Sequence, residues 1–147
     1  MKYTKNIILF LSFLASQTAL AHGLEFRLTL SGKILIGLAY RYQIDANTAI
    51  RVGSFIGLAG SPVGLQCGAV QDITPSKEWT PFFEIGGDML FLKTKGKITH
   101  KLYPSGSIGL TYCPQIQLKH SVELWMFWLA DEIRPVGLRY VHYNSIN

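Results

Sequence analysis

Charged residues recur at alternate positions along several stretches of this chain, and their side chains are the ones best suited to chemistry. The acidic members of the pattern are Glu25, Glu84, Asp88 and Glu123. The basic members are Arg27, Arg41, Arg51, Lys119 and Arg139. Alternate residues of an extended strand lie on one face, so acids and bases that share a buried face are expected to neutralise one another in ion pairs.

Two of these carboxylates are close enough in sequence to be considered as a catalytic pair. Glu84 and Asp88 share a face, but four residues of strand separate them by about 13 Å. This distance exceeds the separation of the paired carboxylates in glycosidases. We therefore interpret both residues as structural partners of arginines rather than as an acid and a base.

The stretch KHSVE, Lys119 to Glu123, contains the residue types of a hydrolytic relay. Neighbouring side chains of a strand project to opposite faces. His120 is therefore predicted to lie opposite Ser121 and Glu123, so the three cannot form one hydrogen-bonded relay. The four histidines show no ligand spacing with the cysteines that would predict a metal site. No phosphate-loop or dinucleotide fingerprint is present, so no cofactor is expected.

The first 21 residues have the pattern of a secretory signal peptide. Lys2 and Lys5 precede an apolar run, and Ala19 and Ala21 precede the predicted cleavage before His22. The uncharged stretch is shorter than the roughly 20 residues that a membrane-spanning helix needs. We therefore predict a signal peptide over residues 1–21 and one domain over residues 22–147.

Composition and charge bear on the partners of the chain. The formal net charge is +5, and loss of Lys2 and Lys5 with the leader would leave +3. Charged residues make up 16% of the chain and hydrophobic residues 48%, against roughly 25% charged residues in ordinary soluble domains. No cluster of Lys and Arg forms the footprint of a nucleic-acid-binding protein, so nucleic acid is not an expected partner.

After the leader, apolar and polar residues alternate with period two, and no stretch sustains apolar residues at helical spacing. Turn residues such as Ser31-Gly32 and Asp45–Asn47 separate the alternating runs. The predicted strands are 24–30, 34–44, 48–58, 63–73, 79–92, 107–112, 115–128 and 134–143, the sixth being irregular at 104–106. Eight strands with short connections predict an all-β fold, an antiparallel up-and-down barrel closed by pairing of the last strand with the first.

Export would permit a disulfide between Cys67 and Cys113, the two cysteines of the chain. Cys67 shares the face of Leu65 and Ala69, whereas Cys113 lies opposite the face of Tyr112 in the predicted strands. The two side chains should point to opposite sides of the barrel wall. We therefore predict that no disulfide joins them.

Glycines interrupt the polar face and indicate which face meets water. On a solvent-exposed sheet, glycine weakens a strand without a packing gain. Inside a narrow eight-stranded barrel, glycine leaves room for long charged side chains. The glycines of the polar face are Gly37, Gly53, Gly57, Gly64, Gly68, Gly86 and Gly137. We therefore predict that the polar face lines the lumen and that the nine charged residues named first form an ion-pair network there.

The opposite face is almost continuously apolar, and its aromatic residues gather towards strand ends. One predicted rim holds Tyr40, Tyr42, Trp79, Tyr112 and Tyr140, and the other holds Phe91, Tyr103 and Trp128. Such girdles flank the apolar band of transmembrane barrels. Period-two alternation also fits a soluble barrel with its apolar face turned inward, but the composition of the polar face favours the transmembrane barrel.

The stretches GLAYRYQIDANTAIRVG and GSIGLTYCPQIQLKHSVEL resemble the repeated hairpin of small bacterial outer-membrane β-barrel proteins, and PVGLRYVHY resembles their closing strand. The likeness covers most of the mature chain and is specific for architecture rather than for activity. It implies an eight-stranded transmembrane barrel in a Gram-negative outer membrane, inserted by the barrel-assembly machinery. One departure is that Asn144–Asn147 follow Tyr143, whereas the family usually ends on an aromatic residue that this machinery reads.

The resemblance implies a structural or surface-interaction role without bulk transport, because an eight-stranded interior is only wide enough for side chains. Outer-membrane lipid is the expected partner. Lys93, Lys95 and Lys97, with Lys101 nearby, are predicted to form a basic loop that is either solvated or in contact with lipopolysaccharide phosphates. Two alternatives are a periplasmic lipocalin-like barrel that binds a hydrophobic small molecule and a lipid-modifying outer-membrane enzyme.

Overall fold

Eight antiparallel strands form a closed barrel in which each strand pairs with its neighbours in sequence and the last pairs with the first. The computed structural model describes residues 22–60, 62–73, 78–115, 118–129 and 132–146. The strands are β1 His22–Leu30, β2 Ile34–Gln43, β3 Thr48–Gly57, β4 Val63–Asp72, β5 Trp79–Thr94, β6 Lys97–Gln115, β7 Leu118–Leu129 and β8 Glu132–Ile146. The predicted all-β class and the eight-stranded closed barrel are confirmed. The predicted leader and the turn at 74–77 lie outside the described residues.

Buried and exposed residues alternate along the strands, as the period-two pattern requires. In β1, Glu25, Arg27 and Thr29 are buried, whereas Phe26 and Leu28 between them are exposed. The exposed set forms the outer wall of the barrel, and the buried set fills its interior. None of the described ranges contains a helix that is long and apolar enough to cross a membrane.

The two ends of the barrel differ in their connections. We call the end that holds His22, Ile146 and the β2–β3 turn the terminal end, and the opposite end, which holds the β5–β6 turn, the hairpin end. At the β2–β3 turn, Asp45 Oδ1 accepts hydrogen bonds from the backbone N–H groups of Asn47 and Thr48, each at 2.8 Å. These bonds lower the pKa of Asp45 and account for the predicted turn at this position.

The β5–β6 hairpin is longer than the sequence pattern predicts and extends past its neighbours. Its strands pair as far as Thr94 and Lys97, while the pairing of β6 with β7 begins at Ser105. The predicted basic loop from Lys93 to Lys97 is therefore wrong, because only Lys95 and Gly96 form the turn. Both have positive φ, 50° and 78°, as a two-residue hairpin turn of type I′ requires.

The closing strand β8 is also longer than predicted and contains an irregularity. Its register with β7 shifts between Trp125 and Met126, which pair with Gly137 and Pro135, so Val136 is the extra residue of a bulge. Proline has no N–H to contribute to the ladder, and bulges accommodate it. Cys67 lies exposed on the outer wall, and it forms no disulfide with Cys113, as predicted.

Candidate functional site in the barrel interior

Arg51 is the centre of a charged cluster inside the barrel. It extends inward from β3 and has no exposed surface. Its Nε atom lies 2.9 Å from Glu25 Oε2, and its Nη1 atom lies 2.6 Å from Glu84 Oε2 and 3.1 Å from Glu123 Oε2. The contact with Glu25 is close but poorly aligned for a hydrogen bond. One guanidinium therefore contacts carboxylates from three other strands.

Arg27 and Arg139 complete this cluster through a shared glutamine. Arg27 Nη2 lies 3.0 Å from Glu25 Oε2, and Arg139 Nη1 lies 3.1 Å from Glu123 Oε1. Both arginines donate to the same acceptor, Gln66 Oε1. The cluster is thus continuous across the interior, from β1 through β4 to β7 and β8.

The charges of this cluster balance. Three arginines, Arg27, Arg51 and Arg139, face three glutamates, Glu25, Glu84 and Glu123. The Ser107 hydroxyl lies between two of these carboxylates, 3.1 Å from Glu84 Oε2 and 2.9 Å from Glu123 Oε2. We refer to these six ionised residues as the central network. Equal numbers of opposite charges reduce the cost of keeping them out of water.

Three of the nine predicted network residues lie outside the central network. Arg41 Nη2 is 3.4 Å from Asp72 Oδ2 near the terminal end, and Asp72 is not one of the nine predicted residues. Lys119 Nζ lies 5.7 Å from the ring centroid of Tyr143. Asp88 accepts a hydrogen bond from Trp125 Nε1 at 2.8 Å, so an indole rather than an arginine is its direct partner.

Two glycines on the inner wall make room for bulky neighbours. A Cβ atom at Gly68 would lie 2.4 Å from Glu84 Oε1, and one at Gly64 would lie 2.1 Å from the Phe55 ring. Both distances are shorter than van der Waals contact. The glycines of the polar face therefore accommodate a network carboxylate in one case and an aromatic ring in the other.

Apolar layers that were not predicted from the sequence lie on both sides of the central network. Towards the hairpin end, Leu35, Phe55 and Trp125 form a buried cluster. Towards the terminal end, Ala49, Val70 and Phe82 form a second one. The Arg139 guanidinium carbon lies 4.5 Å from the Trp125 ring centroid. The residues of both apolar clusters lie on the same alternating series as the network residues of their strands. This alternation was the signal in the sequence that could have placed them inside the barrel.

The KHSVE stretch is divided between the two sides of the wall. Ser121 and Glu123 are buried inside. His120 instead contacts outward residues of β8: its Nδ1 atom is 2.5 Å from the Tyr140 hydroxyl, and its ring lies 5.0 Å from that of His142. The three side chains therefore do not form one relay. Within the described ranges, no group of three or more His, Cys, Asp or Glu residues could hold a metal ion.

Aromatic residues lie on the outer wall near the terminal end, as the spacing predicts. Trp79 and Tyr112 are exposed and their rings are 4.8 Å apart, and Tyr40 and Tyr140 are exposed at a similar level. Tyr103 was predicted to belong to an aromatic girdle on the outer wall, and this prediction is wrong. It lies on the inward series of β6 and stacks on Phe127 at 4.9 Å.

Comparisons with known proteins identify the fold. The N-terminal β-barrel domain of Pseudomonas aeruginosa OprF matches with a TM-score of 0.69 at 10% identity over 86% of this chain and 97% of that chain. A de novo designed transmembrane β-barrel matches with a TM-score of 0.64 at 12% identity over 86% and 95%. The Yersinia pestis outer membrane protein Ail matches with a TM-score of 0.57 at 10% identity over 86% and 99%.

These likenesses establish that the chain has the fold of small eight-stranded outer-membrane β-barrels. No family model matches the sequence, and no curated protein does. At such low identities the shared property is the architecture, and the presence of a designed protein among the matches illustrates that architecture alone specifies no activity.

Proposed function

We propose that this protein is exported by its N-terminal signal peptide, spans the outer membrane as a closed barrel, and has a structural or surface-interaction role without bulk transport. The proposal is supported by the distribution of side chains between the two faces of the wall. Phe26, Leu38 and Ile85 on the outer wall are 55%, 52% and 59% exposed, whereas Arg51 and Asp88 inside are 0% exposed. A wall of this kind is stable when hydrocarbon covers it.

The soluble alternative required the reverse arrangement. A lipocalin-like barrel would turn its leucines and isoleucines inward around a hydrophobic ligand. In this structure Leu38, Ile36 and Leu65 are exposed on the outer wall, and the interior holds the central network. The orientation assumed by that alternative is therefore wrong.

Membrane insertion is testable by fractionation of cells that express the full chain. We expect the protein in the detergent-extracted outer-membrane fraction, and we expect the unboiled protein to migrate differently from the boiled protein on a denaturing gel, because a closed barrel resists the detergent until heated. A periplasmic marker protein serves as the control. Recovery of this protein with the marker, in the extract made without detergent, would contradict the proposal.

Three successive layers of side chains support the proposal of a closed lumen. The central network lies between the Leu35–Phe55–Trp125 cluster and the Ala49–Val70–Phe82 cluster. Filled interiors are characteristic of barrels of this size. We therefore expect the purified protein to produce no stable single-channel conductance in planar bilayers, with a sixteen-stranded porin as the positive control. Steady ohmic steps from protein that migrates as folded would refute the closed lumen.

We further propose that the lysines of the β5–β6 hairpin contact the phosphates of lipopolysaccharide. Lys93, Lys95, Lys97 and Lys101 are all exposed, and the hairpin extends beyond the wall at the end opposite the chain termini. Replacing all four with glutamine should weaken binding to lipopolysaccharide vesicles and remove most of its dependence on salt, because phosphate contacts of this kind are screened by salt. Equal binding and equal salt dependence in the two proteins would show that the lysines are only solvated.

A further inference from the structure

The outer wall carries a groove that the proposed function does not use. It has a volume of about 670 Å³ and crosses strands β8, β1, β2, β3 and β4. Five adjacent strands span about 19 Å between the first and the last. The register places two rows of outward residues along it, which are His142, Phe26, Leu38 and Ser54 in one row and Tyr140, Leu28, Ile36, Ile56 and Val63 in the other.

The groove has a direction relative to the barrel axis. It begins at His142, four residues before the end of β8 at the terminal end, and reaches Val63, the first residue of β4 at the hairpin end. It is apolar between these points, with Ser54 as a small residue between the larger Leu38 and Leu65. A molecule lying in it would therefore extend diagonally across the apolar band.

Polar groups cluster where the groove begins. His120 and His142 are directly opposite one another on β7 and β8, and their ring centroids are 5.0 Å apart. The Tyr140 hydroxyl lies 2.5 Å from His120 Nδ1. We call these three residues the histidine–tyrosine cluster. Imidazole and phenol groups can both donate hydrogen bonds.

The surroundings of this cluster favour an anion. The outward residues that the register places beside it are uncharged, and they are Tyr112, Val122, Phe26 and Leu28. No carboxylate among them would repel a phosphate, and the low dielectric of an apolar wall strengthens hydrogen bonds to a charged acceptor.

We propose that this groove binds one glycerophospholipid, with its phosphate on the histidine–tyrosine cluster and an acyl chain along the apolar rows. The proposal rests on the membrane location proposed above, since only there would the groove meet lipid. Phospholipid combines both features, because it joins an anionic, hydrogen-bond-accepting head to a long apolar chain. The lipopolysaccharide phosphates proposed above would lie at the hairpin end, whereas the histidine–tyrosine cluster lies towards the terminal end. A free phosphate would leave the groove empty, and a purely apolar molecule would leave the cluster without a charged partner.

The test is native mass spectrometry of the full-length mature barrel, folded in detergent and titrated with dioleoyl phosphatidylglycerol. We expect wild type to retain one lipid per barrel. Ser54→Phe should fill the groove, and His120→Ala combined with His142→Ala should remove the donors. The double histidine variant should lower lipid retention at least about tenfold, the effect of losing one hydrogen bond to a charged group. Ser54→Phe should lower lipid retention to a similar extent, because its ring occupies the space of the acyl chain.

Matched controls separate the groove from general surface effects. Ala69→Phe adds the same ring to another small outward residue of the wall, outside the groove lining. His100→Ala removes an exposed histidine of the β5–β6 hairpin. Both should retain lipid as wild type does, and inorganic phosphate at the same concentration as the lipid should not displace it. Heat-modifiable migration establishes that each variant is folded.

The outcomes distinguish this proposal from the membrane location itself. Equal lipid retention by Ser54→Phe and Ala69→Phe, no retained lipid on wild type, or a dimer mass that disappears with Ser54→Phe would each overturn the phospholipid site while leaving an outer-membrane barrel intact. Recovery of wild type in the soluble periplasmic extract would remove the proposed function instead.

Discussion

Replacing Arg51 with methionine is expected to destabilise the folded barrel by about 3–5 kcal/mol, the cost of removing one partner from a buried ion pair. Arg51 contacts three carboxylates, so its loss leaves three glutamates facing only two arginines in the central network. Methionine keeps much of the side-chain volume, which limits the contribution of a cavity. Equilibrium unfolding in urea from lipid vesicles, followed by tryptophan fluorescence, measures the change.

The surface pair of Arg134 and Glu132 supplies the control for this experiment. Both side chains are largely exposed, at 62% and 59%, and Arg134→Met is expected to cost less than about 1 kcal/mol. The double variant Arg51→Met with Glu84→Gln restores the balance, with two arginines facing two glutamates. It should therefore be more stable than Arg51→Met alone. If Arg51→Met costs no more than Arg134→Met, the central network does not hold the barrel together.

A charge introduced in the middle of the outer wall should have the second large effect. Ile85 is 59% exposed on β5, and Arg at a bilayer midplane position of a barrel costs about 2–4 kcal/mol. Ile85→Arg should therefore lower the free energy of unfolding from vesicles by that amount. The same unfolding measurement applies, with folding first verified by heat-modifiable migration.

The free-energy cost of the new charge should depend on its depth in the membrane. Ile44→Arg makes the same chemical change beside the β2–β3 turn, where a cost of only about 0–1 kcal/mol is expected near the interface. In a soluble barrel, both substitutions would be exposed surface changes within about 0.5 kcal/mol of wild type. A negligible effect of Ile85→Arg would thus argue against a hydrocarbon environment for the outer wall.

Together these two experiments examine the two faces on which the proposed function depends. The central network places equal numbers of opposite charges in the interior, and the outer wall supplies the apolar surface. The closed lumen proposed above would leave interactions with other molecules to the loops, the β5–β6 hairpin and the outer wall. Under these proposals, the lysines of the β5–β6 hairpin and the groove of the outer wall, rather than the interior, are the places to look for partners.

The sequence by itself determined that there are eight strands and which face most of their residues occupy, Tyr103 being an exception. Side-chain direction alternates along a strand as a local property of the backbone, so eight alternating runs and the inward placement of Arg51, Glu84 and Glu123 could be read without a structure. The turn at Asp45 was readable for the same reason, since its hydrogen bonds reach only two and three residues along the chain.

Only the tertiary structure decided which inward residues meet. Arg51 contacts Glu123, 72 positions later, and Arg41 contacts Asp72 rather than a residue of the predicted set. These pairings depend on the stagger between strands around the closed barrel, and that stagger is a property of the whole sheet. The apolar layers around Trp125 and Phe82 and the extension of the β5–β6 hairpin were likewise decided by the tertiary structure. Each depends on how neighbouring strands pair, and the alternation within one strand does not specify that pairing.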